Sequence, residues 1–385
     1  MYERLLTKLL AAGKKSVLVL GPRQVGKSTL LTGLAPDLVI NLANPASFRD
    51  YVSHPEQLGQ ELRAAGAKVR TVFLDEVQRV PTLLDVVQIL IDERPGRFRF
   101  LLSGSSARKL KRGHANLLPG RIHVAYLHPL LACELGQDFS LDRALTEGTL
   151  PGISADPDPG ERHGVLRAYA DTYLREEIQA EALVRDLGGY ARLLELVAVS
   201  SGRILSLNAL CKDTGVAYET ARRYLEVLED TLLVFRVPPW SGSDRARLVK
   251  HPRIYFFDLG VRNSLLSRPL DRPLDDERGI LLEHLVAYEL HRRLGTVWPA
   301  ARLSYYRTSA GAEVDFILEV DREVWAIEVK ASRRLTAEAM SGLASFVERT
   351  PRVKRRIVVF TGPRKQLVDG IELIPIEEFL AELPR

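Results

Sequence analysis

Five residues of strand length and character, Ser16-Val-Leu-Val-Leu20, run without a break into Gly21-Pro-Arg-Gln-Val-Gly-Lys-Ser28, and Thr29-Leu-Leu-Thr-Gly opens a helical pattern. Strand, glycine loop and helix in this order leave the chain few choices. The two glycines let backbone N–H groups turn inward around an anion, and the start of the helix favours negative charge there. Lys27 reaches the terminal phosphates of a nucleotide, and Ser28 offers a hydroxyl to magnesium. The spacing therefore predicts an α/β domain with a parallel sheet that binds ATP along Gly21, Pro22, Arg23, Gln24, Val25, Gly26, Lys27, Ser28 and Thr29.

A second apolar strand, Thr71-Val-Phe-Leu74, ends in Asp75-Glu76, about one strand-helix-strand unit after the loop. In that position the aspartate supports hydrated magnesium and the glutamate polarises an attacking water. A third strand, Phe98 to Leu102, delivers Ser103-Gly-Ser-Ser106 to the same carboxyl edge, where ligands of open α/β sheets collect. Ser103 is expected either to sense the γ-phosphate or to serve as a turn serine or helix cap, a role for which Ser105 and Ser106 are the better candidates. Pro119-Gly-Arg121 precedes a fourth strand, Ile122 to Leu127.

At 385 residues the chain exceeds one ordinary core, and its 46% hydrophobic and 27% charged residues describe a folded globular protein. Its apolar runs are far shorter than a membrane span and no signal peptide is expected, which points to the cytoplasm and away from a membrane. Cys133 and Cys211 lack the spacing of a metal knuckle or redox pair, and the eight histidines lack metal-binding spacing. A net charge of +5 permits nucleic-acid binding without requiring it.

The stretch Leu150 to Gly160 is rich in proline, glycine and aspartate, so it is expected to lack regular structure and to end the first domain. Helical periodicity resumes over Val165 to Leu183 and Tyr190 to Ser200. Ser206 to Gly215 and Val216 to Glu229 then read as helix, glycine turn, helix, and Thr231 to Val237 as the strand of a wing. Ala221, Tyr224, Leu225 and Leu228 share the inner face of the second helix, leaving Glu219, Thr220, Arg222, Arg223 and Glu226 toward solvent. Arg222 and Arg223 stand where DNA contacts occur in such a winged helix-turn-helix, whereas the acids beside them suit a module used for protein packing.

Toward the C-terminus, Glu277 to Arg293 reads as a helix with Glu283 on the same stripe as Ile280, Val286, Ala287 and Leu290. Glu313 to Glu319 and Glu323 to Lys330 follow as an antiparallel hairpin across Val320-Asp-Arg322. Alternation sets Asp315 with Glu313 on one side, and Ala326, Glu328 and Lys330 on one side of the partner strand. Two carboxylates, Asp315 and Glu328, with Lys330 two residues beyond the second, can hold magnesium against a phosphodiester and orient a water. Glu-x-Lys is also an ordinary salt-bridged surface pattern. Tyr305-Tyr-Arg307, Arg333 and Arg334 are read as backbone contacts to nucleic acid or as solvated surface.

Taken together, Gly21 to Ser28, Asp75-Glu76, Leu101 to Ser106, Pro119-Gly-Arg121, Glu313-Val-Asp-Phe316 and Glu328-Val-Lys330 make the chain similar to a family of bacterial and archaeal AAA-type ATPases. That family joins a P-loop core to a C-terminal domain of long unknown function, itself similar to PD-(D/E)XK nucleases. The resemblance implies three segments: an ATPase domain over 1–155, a helical linker and winged helix over 156–245, and a nuclease-like domain over 246–385. It implies Arg121 as an arginine finger acting on the neighbouring subunit's nucleotide, hence a homo-oligomer, with Arg108 and Arg112 as rivals. It also implies Glu283 and Lys330 as catalytic partners of Asp315 and Glu328, with DNA as the substrate. A domain that only docks DNA or a protein is the alternative.

Overall fold

The computed structural model describes residues 2–105, 120–173, 186–240, 251–335, 340–350 and 352–385. Ser106, Arg108 and Arg112 lie outside the described residues. By contacts the chain divides into two compact units, Met1–Pro129 with Val227–Leu233, and Leu130–Glu226 with Val234–Arg385.

The first unit is built on five strands, β1 (Ser16–Leu20), β2 (Leu38–Asn41), β3 (Thr71–Asp75), β4 (Arg99–Gly104) and β5 (Ile122–Tyr126), in the order β2-β3-β4-β1-β5. Every pairing is parallel. Strands buried on both faces read as continuous apolar runs, and β1 is buried at all five positions. Leu18, Leu20, Leu74, Phe100 and Leu102 join helical residues Leu58, Leu62, Leu83 and Val87 in one core. The carboxyl ends of β1, β3 and β4 therefore open on one edge.

The second unit holds a six-stranded mixed sheet built from β8 (Arg302–Arg307), β9 (Glu313–Val320), β10 (Glu323–Lys330), β11 (Val353–Phe360), β12 (Gln366–Val368) and β13 (Ile371–Pro375), in the order β12-β13-β11-β10-β9-β8. β9 and β10 form the expected antiparallel hairpin, while β10, β11 and β13 run parallel. Helix Arg278–His291 covers this sheet, and its Leu285, Val286 and Leu290 share a core with Ile327, Ile357 and Val359. Three helices, Leu187–Val199, Leu207–Thr214 and Tyr218–Asp230, precede an antiparallel ribbon of β6 (Val234–Val237) and β7 (Arg253–Phe256).

Several local expectations need correction. The stretch 150–160 is not irregular: Pro151–Ala155 and Pro159–Ala168 are both helices, because proline at the first helical position loses no hydrogen bond and is preset to a helical φ. The α-helix expected from Val165 ends at Ala168 and passes into a π-turn, Tyr169–Tyr173; residues 174–185 lie outside the described set. β6 begins at Val234 rather than at Thr231, because the Thr231 hydroxyl still donates to the Val227 carbonyl and Leu232 turns the chain through a positive φ of 61°. Tyr305 and Tyr306 are not surface residues: both are buried in the middle of β8.

Candidate functional sites on the two units

The glycine loop closes on itself. Gly26 has φ 90° and caps the helix Lys27–Thr32, a conformation that residues with a Cβ rarely adopt. Gly21 answers to a different constraint, since a Cβ there would meet the Leu127 carbonyl oxygen at 2.2 Å. Val25 and Pro22 are buried beneath the loop, whereas Gln24 and Thr29 face solvent. The Lys27 ammonium donates to the Gly21 and Pro22 carbonyls at 2.9 Å each. Arg4, which sequence reasoning did not single out, braces the loop by donating to the Val25 carbonyl at 2.9 Å and to that of His128.

Asp75 lies at the end of β3, beside the loop. Its Oδ1 accepts from the Ser28 hydroxyl at 2.9 Å and from the Ser103 hydroxyl, and Ser103 Oγ in turn accepts from the Glu76 N–H at 2.9 Å. Four residues chosen from separate parts of the sequence, Ser28, Asp75, Glu76 and Ser103, thus meet at the sheet's carboxyl edge. Glu76 has a left-handed φ of 60°, a strained setting for a side chain of its size and one that collects at functional sites. Gln78, also missed in the sequence, donates to Glu76 Oε2 at 2.5 Å and to the Ser105 hydroxyl at 3.0 Å. Ser105 is therefore a partner of Gln78, while Ser103 holds Asp75. Ser28 Oγ and Asp75 Oδ1 are hard oxygen donors of the kind magnesium takes, and they fit that ion.

Arg121 stands just before β5 and is held by Asp92 through two hydrogen bonds, 2.7 and 2.8 Å, in a fork that keeps its charge paired on the surface. Hydrogen bonding to Asp92 raises the pKa of Arg121, and the arginine lowers that of Asp92.

In the second unit the hairpin register sets Ile327 opposite Phe316 and so brings Glu328 beside Asp315. Asp315 Oδ2 accepts from the Val329 N–H at 2.9 Å, and Lys330 donates to Glu328 Oε1 at 2.5 Å. Glu283 is the least buried residue of 281–290 and faces the same place, where its Oε1 accepts from the Tyr255 hydroxyl at 2.7 Å. At the centre stands Arg253, the first residue of β7 and only 4% exposed. Its Nη1 lies 2.7 Å from Glu283 Oε1 and 3.4 Å from Asp315 Oδ1, its Nη2 binds Glu313, and its guanidinium lies 4.9 Å from the Tyr305 ring centroid. Burial alone would lower the arginine's pKa; Glu283 and the neighbouring groups outweigh it and hold the charge in place. Burial and the charge of Asp315 push both Glu283 and Glu328 above the usual carboxylate range.

The carboxyl oxygens are chemically suited to a hard divalent ion, yet among the described residues no three such side chains stand as a metal-binding group. As arranged around Arg253, these residues do not fit the expected magnesium. On the solvent face of Tyr218–Asp230, Arg222 pairs with Glu219 at 3.0 Å and with Glu226 at 2.6 Å, leaving Arg223 exposed beside it. Cys133 and Cys211 are free thiols, and among the described residues no helix is long and apolar enough to cross a membrane.

Known proteins resemble the chain region by region. Residues 13–136 match the AAA domain family, 138–272 a domain of unknown function (DUF8612), and 278–379 another domain of unknown function (DUF4143). Uncharacterized proteins of Mycobacterium bovis and Mycobacterium tuberculosis are each 27% identical over 382 residues, covering 94% of this chain and 80% of theirs. Among solved structures, the replication initiator DnaA bound to AMPPCP and single-stranded DNA is 14% identical with a TM-score of 0.28, covering 58% of this chain and 84% of that one. A Pif1 helicase at forked DNA is 14% identical with a TM-score of 0.26, covering 43% of this chain and half the length (50%) of the helicase chain. At these scores neither likeness bears on function. The first unit is thus an α/β domain of the AAA type with a nucleotide-binding P-loop, and a C-terminal domain of unknown function follows it.

Proposed function

We propose that the chain is an ATP-binding and ATP-hydrolysing AAA-type protein that acts on DNA as a homo-oligomer in the cytoplasm, with a nuclease-like C-terminal domain. The observation that carries the ATPase reading is the meeting of Ser28, Asp75, Ser103 and Glu76 beside Lys27. Lys27 exchanges the Gly21 and Pro22 carbonyls for the terminal phosphates, because a charged acceptor outbids a neutral one. Ser28 and Asp75 would hold magnesium, which when bound would offset the charge of the nucleotide phosphates. Glu76, aimed by Gln78, takes the proton of the attacking water, and Ser103 links Asp75 to the Glu76 backbone so that the phosphate state is felt at both. Arg121, once it leaves Asp92, supplies positive charge to a neighbouring subunit's nucleotide.

The three segments 1–155, 156–245 and 246–385 divide the work: nucleotide switch, winged helix, and a PD-(D/E)XK-like module carrying Glu283, Asp315, Glu328 and Lys330. A second reading, a module that docks DNA or a protein without cutting, is favoured by Arg253, whose charge is already paired with Glu283 and Asp315. Hydrolysis of ATP by the purified chain, with and without DNA, tests the first part. Glu76→Gln should bind ATP and fail to turn it over, and Lys27→Ala should fail to bind it. Hydrolysis unchanged in Glu76→Gln would sink the assignment of the base. Cleavage of labelled single-stranded, duplex and branched DNA, compared with Lys330→Ala, separates the nuclease from the docking module.

A further inference from the structure

The acids of the second unit outnumber their bases. Glu283, Glu313, Asp315 and Glu328 form one cluster of ion pairs with Arg253, Lys330 and, at its edge, Arg307, which lies 3.4 Å from Glu313. The two groups nearest the centre are Glu283 Oε1 and Asp315 Oδ1, and both face Nη1 of one arginine. Arg253 is held on several sides, although its buried Nε has no partner among the described residues: its fork spans three carboxylates, Tyr305 lies against its face, and Ile204 pairs with its backbone. One further atom bears on the cluster's appetite for charge. Glu328 Oε2 is buried and has no hydrogen-bond partner among the described residues, so within them the cluster leaves this carboxylate oxygen unsatisfied even with its bases in place.

We infer that Arg253 is the resident cation of this cluster: Glu283 Oε1 and Asp315 Oδ1 accept either its guanidinium or a divalent ion, never both. The inference rests on the reading of Glu283, Asp315, Glu328 and Lys330 as a nuclease-type set, and it names what governs that set. A divalent ion ligated by those two oxygens would sit within a few ångströms of a buried guanidinium, where like charges repel with little water to screen them. Loading the site therefore requires Arg253 to withdraw. While Arg253 stands in place, the domain excludes the ion that phosphodiester cleavage needs.

The test is Mn2+ binding to the full chain without nucleotide, read from the electron paramagnetic resonance of free Mn2+. Wild type and Asp315→Asn should bind alike, since Asp315 is not open to the ion. Arg253→Met should gain a site at least about tenfold tighter than anything wild type shows, and Arg253→Met/Asp315→Asn should lose it again. Arg253→Lys, which keeps the charge, should gain none and guards against an Arg253→Met chain that fails to fold. Wild-type binding that Asp315→Asn abolishes would overturn the inference, as would a folded Arg253→Met chain with no new site. DNA cleavage by the same proteins in Mn2+ keeps the two proposals apart. A metal-loaded Arg253→Met chain that cuts nothing sinks the nuclease reading alone, whereas wild-type cleavage that Asp315→Asn abolishes sinks the resident cation alone.

Discussion

Both units of this protein gather acids, but they neutralise them in opposite ways. Asp75 is met by two hydroxyls, from Ser28 and Ser103, and the nearby Lys27 ammonium donates to two backbone carbonyls. Asp315 and Glu283 are met by a buried guanidinium, and Glu328 by an ammonium. Neutral partners are easily exchanged for a charged ligand; charged partners inside the fold are not. The difference separates a site arranged to receive charge from one that already contains it.

The largest effect should come from the receiving site. Lys27→Ala should lower the rate of ATP hydrolysis by about a thousandfold or more, because a pre-aimed charge on the transferring phosphoryl is lost; a loss under tenfold would break the contrast at its first term. Arg253→Met should cost about 3–5 kcal/mol in urea unfolding, since it strands several carboxylates out of water, and adding Asp315→Asn should return part of that. If Arg253→Met unfolds at the wild-type midpoint, the acids are not held by that charge.

Acid pH sharpens the comparison through the helix that carries Glu283. Burial holds His284 near a pKa of about 3 and His291 near about 4, so both rings stay neutral in the fold after they have charged in the unfolded chain. Their contribution is whole above the unfolded value near 6.5 and is lost as pH falls toward those folded values. His291, stacked on Phe235 with ring centroids 4.1 Å apart, tolerates phenylalanine by shape. His291→Phe should therefore remove about 2 kcal/mol of the stability lost between pH 7.5 and pH 5, read as a flatter plot of unfolding free energy against pH. The smallest effect belongs to the hydroxyls: Ser103→Ala should cost about 1 kcal/mol of stability, far less than Arg253→Met, while slowing ATP turnover. A Ser103→Ala chain as unstable as Arg253→Met would erase the distinction between neutral and charged partners.

What the sequence made legible follows from how local each constraint is. The glycine loop, Asp75-Glu76 and the β9–β10 hairpin announce themselves because spacing along a few residues dictates them. Gly21 to Ser28 must turn where its glycines are, and alternation sorts Glu328 from Ile327. Arg253 announces nothing. It lies 62 positions before Asp315 in a four-residue strand, and only the packing of β7 against helix Arg278–His291 and β9 brings it there. Gln78 was hidden for a related reason: a short 3-10 turn after Glu76 points it back at its neighbour, a geometry no periodicity encodes. Proline misled at 151 and 159 because composition records its frequency, whereas its effect depends on whether it opens a helix or interrupts one. Arg222 shows the converse, since its acidic neighbours Glu219 and Glu226 were visible at helical spacing and do pair with it.

Arg4 gives the nucleotide site a handle outside its motif. One guanidinium ties the chain's leading segment to the crest of the loop at Val25 and to the exit from β5 at His128. Any displacement of that leading segment therefore strips two donors from the loop and from the β5 exit at once, so the two move as neighbours on one hinge pin.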